Sequence, residues 1–117
     1  QEEKTVFILS CGDFYALKKR PDSGLLAGLW EFPNVPGTLS LEEALDWISQ
    51  QGLALRNVQK QVHKQHIFTH IRWQMQGFYL EVAAPAGDFT WLQADEIRQN
   101  AALPTAFKQF WEEIEDV

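Results

Sequence analysis

Apolar and polar positions along the chain divide it into short strands and two amphipathic helices. Thr5-Val6-Phe7-Ile8-Leu9-Ser10 is β-branched and apolar and predicts a strand. Cys11-Gly12-Asp13 is turn sequence, and Phe14 to Arg20 predicts the returning strand of a hairpin. Arg20-Pro21-Asp22-Ser23-Gly24 ends it, because proline lacks a backbone donor and glycine permits positive φ. Gly24 to Pro33 is apolar but broken by Gly24 and Gly28, each unfavourable in a helix by about 1 kcal/mol, and predicts a loop entering a short strand.

Ser40 is a good helix N-cap, and Glu43 stands at the capping-box spacing. Leu41, Ala44, Leu45 and Ile48 follow at helical intervals and Gly52 stops the run, so residues 40–51 predict a helix. Further on, Ala83 to Asp88 predicts a loop, Phe89 to Leu92 a short strand, and Ala94 to Ile97 the opening of a brief helix. Pro104 suits the first turn of a final helix over about 105–115, striped by Phe107, Phe110, Trp111 and Ile114.

Residues 57–82 are strand-like throughout, which poses a geometric problem. A straight strand from Asn57 to Gln76 would span roughly 65 Å at about 3.3 Å per residue. A domain of this length has a radius of gyration near ~13 Å. The chain therefore has to turn back, yet no Gly, Pro, Asn or Asp marks the place between Val58 and Gln76. Side-chain character is most mixed at Phe68-Thr69-His70, where the reversal is expected; Gly77 is expected to mark a second bulge. Strands interspersed with two main helices predict an α+β domain.

Charge sharpens the picture. The 117 residues carry a net charge of −6, yet no Asp or Glu falls between Asp46 and Glu81, where Arg56, Lys60, Lys64, Arg72 and all three histidines lie. Such a surplus of cations points to an electropositive surface for an anionic partner. The overall acidity argues against strong non-specific binding to a polyanion. Acid gathers at the ends, in Glu2 and Glu3 and in Glu112, Glu113, Glu115 and Asp116, as expected of a solvated terminus and a solvated helix face.

Cys11 is the only cysteine, which excludes an internal disulfide and a cysteine-ligated cluster and suits a reducing compartment. Neither a signal peptide nor a long apolar run is present, so a soluble, cytoplasmic protein without membrane contact is expected. Gln1 in place of Met is a mark of a processed chain or an excised fragment.

Candidate chemistry is sparse. His66 and His70 stand at the metal spacing of a helix, but their segment is β-like and no carboxylate lies nearby in sequence, so no metal site is expected. Thr69 is either a strand threonine or a hydroxyl placed to donate or accept. Trp73 is expected in the core. Lys18-Lys19-Arg20 is expected to be solvated surface, with phosphate contact as the alternative. No catalytic constellation stands out.

Arg20-Pro21 and Gly24-Leu25-Leu26-Ala27-Gly28-Leu29-Trp30-Glu31-Phe32-Pro33 resemble the entry to a Nudix-type fold. With His66-Ile67-Phe68-Thr69-His70 and Leu103-Pro104-Thr105-Ala106-Phe107, the chain resembles the C-terminal domain of MutY-type adenine DNA glycosylases over nearly its whole length. The resemblance implies a Nudix-like α/β/α sandwich with a mixed sheet and two main helices, forming one domain over residues 1–117.

The glutamate-rich box that holds magnesium in active Nudix hydrolases has no counterpart here: Trp47, Ile48, Gln50 and Gln51 fill its Arg-Glu and paired-Glu positions. The resemblance therefore implies a domain without a cofactor, the iron–sulfur cluster and the catalytic carboxylate belonging to a separate helical domain absent from this chain. It implies a monomer that reads 8-oxoguanine opposite adenine in duplex DNA, in concert with that domain, in a bacterial cytoplasm. Phe68, Thr69, His70, His66, Arg72 and Lys64 are the residues expected at DNA, with Phe68 wedging or packing beside the lesion. Thr69 stands where serine is common in the family, and keeps the hydroxyl. The alternatives are a hydrolase of oxidised nucleotides, and a protein-interaction module with exposed tryptophans.

Overall fold

The computed structural model describes residues 1–100 and 103–115. Its strands are β1 (Glu2–Cys11), β2 (Phe14–Lys19), β3 (Trp30–Glu31), β4 (Asn34–Pro36), β5 (Leu55–Ile67), β6 (Arg72–Val82) and β7 (Thr90–Gln93). Its helices are α1 (Leu41–Gln50), α2 (Ala94–Asn100) and α3 (Thr105–Glu115). The two expected helices are joined by a third, because the brief run after Gln93 continues to Asn100.

β1 and β2 form the expected hairpin, with Gly12 at φ 58° in its turn. β1 is also the centre of the sheet, whose path runs β3-β2-β1-β6-β5. One edge of β1 pairs with β6 in parallel from Glu2↔Trp73 to Ser10↔Glu81. Its other edge is shared: Ser10 and Cys11 meet β2, while Lys4, Thr5 and Val6 meet β4. The sheet is therefore mixed, and it splays where β2 and β4 part.

Helices cover both faces, as the α/β/α expectation requires. On one face Phe7, Leu9, Phe78, Leu80 and Val82 pack with Ala44 and Ile48 of α1. On the other, Val6, Ile8, Met75 and Tyr79 pack with Ile97 of α2 and Ala106, Phe107, Phe110 and Trp111 of α3. α1 begins as the sequence predicts: Glu43 N donates to Ser40 Oγ at 3.1 Å, and Ser40 N to Glu43 Oε1 at 3.0 Å. That hydrogen bonding to Ser40 holds the Glu43 carboxyl below its ordinary range. Pro104 precedes α3, and its carbonyl accepts from Phe107 N and Lys108 N at 2.9 and 2.8 Å.

Two expectations need correction. Gly77 is not a bulge, since β6 pairs without interruption there; the register shifts lie in β5, between Leu55 and Asn57 and between Val58 and Lys60. Gly77 is instead where α3 approaches the sheet, because a Cβ on it would fall 2.5 Å from Phe110 Cε1. The acidic end is also not uniformly solvated. Glu112 is exposed, but Glu113 is half-buried and binds Lys64 at 2.8 Å and Lys60 at 3.4 Å. Asp116 and the Glu115 side chain lie outside the described residues.

Candidate nucleic-acid interface

β5 and β6 are joined by the reversal expected at Phe68-Thr69-His70, closed by Phe68 N donating to Ile71 O at 2.7 Å. Cross-strand partners in an antiparallel pair share a face, and successive residues alternate. His66↔Trp73 thus lies on the α3 face and Ile67↔Arg72 on the other. The four cations of the acid-free stretch consequently form no single patch. Lys60 and Lys64 face α3 and hold Glu113, whose carboxyl is kept below its ordinary range by the hydrogen bonds from Lys64 and then Lys60. Arg72 points away from that cluster, and Arg56 sits among the register shifts of β5.

The turn rests on an aromatic stack. The Phe68 ring stands edge-on to His66, with centroids 4.6 Å apart, and to Trp73, 4.9 Å apart. Trp73 is 2% exposed and leans on Phe107 of α3. Lys4 Nζ and Arg20 Cζ stand 4.7 and 5.4 Å from its ring centroid, and both contacts gain strength from partial burial. Arg20 is fixed in turn by Glu31 at 3.3 Å and the Leu25 carbonyl at 3.1 Å. Phe68 is therefore an anchor beneath the turn, half-buried against the core, and does not project as a wedge.

Above this stack Thr69 and His70 are exposed. A cavity of about 360 Å³ opens there, lined by Gln1, Ile67, Phe68, Thr69, His70, Ile71 and Arg72. Among the described residues, nothing bonds to the Thr69 hydroxyl, to the backbone N–H groups of Thr69 and His70, or to the Arg72 guanidinium. Such groups at an open surface are solvated and free to serve a ligand.

Of the six residues expected at the site, Phe68, Thr69, His70 and Arg72 line one cavity. His66 lies beneath them against Phe68, and Lys64 is committed to Glu113. Ile67, Ile71 and Gln1 join the site without having been expected. Strict alternation along β5 was the signal for Ile67, whereas Gln1 arrives only through the parallel pairing of β1 with β6. The Lys18-Lys19-Arg20 run is largely neutralised, by Asp88 on Lys18 and Glu31 on Arg20.

A mixed sheet that splays between helical layers, with a sequence matching over residues 5–113, places the chain in the NUDIX domain family. Within that family its likeness is to the C-terminal domains of adenine DNA glycosylases. Adenine DNA glycosylase of Mus musculus is 36% identical over 120 residues, covering 90% of this chain and 22% of that protein. The solved complex between the C-terminal domain of mouse MUTYH and human PCNA contains a chain 32% identical with a TM-score of 0.73, the match covering 99% of this chain and 88% of that one. A MutT NUDIX hydrolase from Burkholderia pseudomallei has a TM-score of 0.72 at 17% identity, covering 97% of each chain, and shares the fold alone. The chain thus spans about a fifth of the length of the curated relatives it matches.

The magnesium chemistry of NUDIX hydrolases does not fit these residues. Trp47 of α1 stacks on Phe7 at 4.0 Å and Ile48 is buried in the core. Glu43 is engaged in the helix cap, and among the described residues no three His, Cys, Asp or Glu side chains gather as ligands. A hard divalent ion needs several converging oxygens. No tryptophan is exposed either, which corrects the premise of the protein-interaction alternative. Among the described residues no helix is long and apolar enough to cross a membrane.

Proposed function

We propose that this domain serves DNA repair as the non-catalytic lesion reader of an adenine DNA glycosylase, recognising 8-oxoguanine opposite adenine in duplex DNA. The observation that carries this reading is the Thr69 hydroxyl, exposed and without a partner among the described residues, beside an open cavity that Arg72 also lines. The relatives named adenine DNA glycosylase support it.

The chemistry follows from hydrogen-bond inventory. Guanine offers N7 as an acceptor in the major groove. Oxidation at C8 converts N7 to a donor and adds a carbonyl oxygen. The Thr69 hydroxyl accepts from N7–H, and the backbone N–H of Thr69 or His70 donates to the new oxygen. With normal guanine the hydroxyl has to turn and donate to the N7 acceptor, and the backbone N–H loses its carbonyl partner, a loss of about 1–3 kcal/mol. His70 and Arg72 supply contacts to the phosphate backbone, while adenine cleavage and the iron–sulfur cluster belong to another domain of the parent enzyme.

Thr69→Val keeps the side-chain shape and removes the hydroxyl. In the glycosylase carrying this domain it is expected to reduce discrimination between 8-oxoguanine and guanine by about tenfold or more. Unchanged discrimination would refute the assignment. For the 117-residue chain alone, weak duplex binding at physiological salt is expected, given its net charge of −6.

A further inference from the structure

The two strand ends beneath the turn differ between their faces. On the α3 face His66 and Trp73 are covered by Phe68 and the core. On the opposite face Ile67 and Arg72 stand directly across from each other, and both are exposed. Ile67 is 57% exposed, against 37–40% for the other exposed large apolar side chains. One step along this face Gln74 Nε2 donates to Gln65 Oε1 at 3.1 Å, and the shelf these two side chains form is neutral. Glu3 is the neighbour of Gln74 on β1. Both Ile67 and Arg72 line the cavity that holds Thr69.

Since Phe68 is locked beneath the turn, the strongly exposed apolar side chain at this site is Ile67. We infer that Ile67 and Arg72 form a second grip on the DNA strand, beside the lesion contact and independent of it. Ile67 packs its apolar surface on the deoxyribose or base edge flanking the lesion, and Arg72 meets the adjoining phosphate. An apolar group paired with a cation at this spacing fits a sugar–phosphate strand, whose apolar and anionic surfaces alternate. Such a contact adds affinity without reading sequence. The inference rests on the proposed role of the turn, and its failure can be told apart from failure of that role.

The test uses the 117-residue chain, with isoleucine methyls and backbone amides labelled for NMR. It is titrated at low salt with two duplexes, one holding 8-oxoguanine and one guanine opposite adenine. The Ile67 methyl is expected to shift and to show contacts to sugar protons. Ile67→Ser is expected to weaken binding to both duplexes alike, by about fivefold, and Ile67→Val to retain most of the affinity. Arg72→Gln is expected to lower the salt dependence of binding by about one counterion. Unchanged affinity in Ile67→Ser, with Thr69→Val still altering the ratio between the duplexes, would overturn the second grip and spare the lesion contact. If neither substitution alters binding, both readings fall. Loss confined to the lesion duplex would also overturn the grip, by making Ile67 part of lesion readout.

Discussion

Replacing Gly77 by alanine tests how tightly α3 is seated on the sheet. The new Cβ would lie 2.5 Å from Phe110 Cε1, 2.9 Å from Cδ1 and 3.3 Å from Val62 Cγ2. Carbon atoms sit comfortably at about 3.5–4.0 Å, so roughly 1 Å must be found. Phe110 is fully buried, and its carbonyl accepts from Tyr79 Oη at 2.7 Å, so the ring cannot leave without shifting α3. Overpacking of this kind costs about 1–3 kcal/mol. Against it stands about 0.4–1 kcal/mol from the reduced entropy of the unfolded chain. The expected result is a net loss of about 1–2 kcal/mol and a fall in Tm of roughly 4–10 °C. Urea unfolding followed by tryptophan fluorescence measures it, with the slope unchanged if only stability moves. Adding Phe110→Leu makes room for the new methyl, so the pair should cost less than the sum of the singles by about 1 kcal/mol. A Gly77→Ala protein as stable as its parent, or strictly additive costs, would show that α3 yields more easily than this packing implies.

Ser40→Ala removes the hydroxyl that accepts from Glu43 N, leaving the bond from the residue-40 backbone N–H to Glu43 Oε1 in place, and is expected to cost about 1 kcal/mol in urea melts. Trp73→Phe discards an indole N–H that is buried with no hydrogen-bond partner among the described residues, so its cost should stay below about 1.5 kcal/mol despite the lost area; a larger cost would mean the N–H is satisfied. The Glu113 carboxyl, depressed by its two lysines, contributes stability that is present above its unfolded pKa and lost as pH falls through its lower folded value. Glu113→Gln should accordingly flatten the acid limb of the stability–pH profile below about pH 4.5, and an identical limb in the two proteins would count against the pair. Phe68→Ala should cost about 2 kcal/mol and weaken duplex binding as the turn loses its anchor.

Much of this protein was legible in local sequence, because local sequence carries the relevant physics. The Ser40–Glu43 cap, the hairpin around Gly12 and the apolar stripe of α3 each depend on residues a few positions apart. The reversal at Phe68-Thr69-His70 followed from chain length against domain size, although no turn residue marked it. The side chains at the site were harder to place. Phe68 was expected to wedge or pack beside the lesion; it lines the cavity but is half-buried, because Trp73 and Phe107 form an aromatic floor there that Lys4 and Arg20 brace.

The sequence by itself determined most of the elements and their order, though not β4, and a stretch from Trp47 to Leu80 free of acid. Only the tertiary structure decided which of its cations remain available. Lys64 is neutralised by Glu113, 49 residues away in the chain, and Arg72 is spared because one step along a strand reverses the face. Charge is a property of composition, whereas the field at a surface depends on which charges the packed helix meets. That meeting is fixed by sheet register and by a glycine that lets α3 come close.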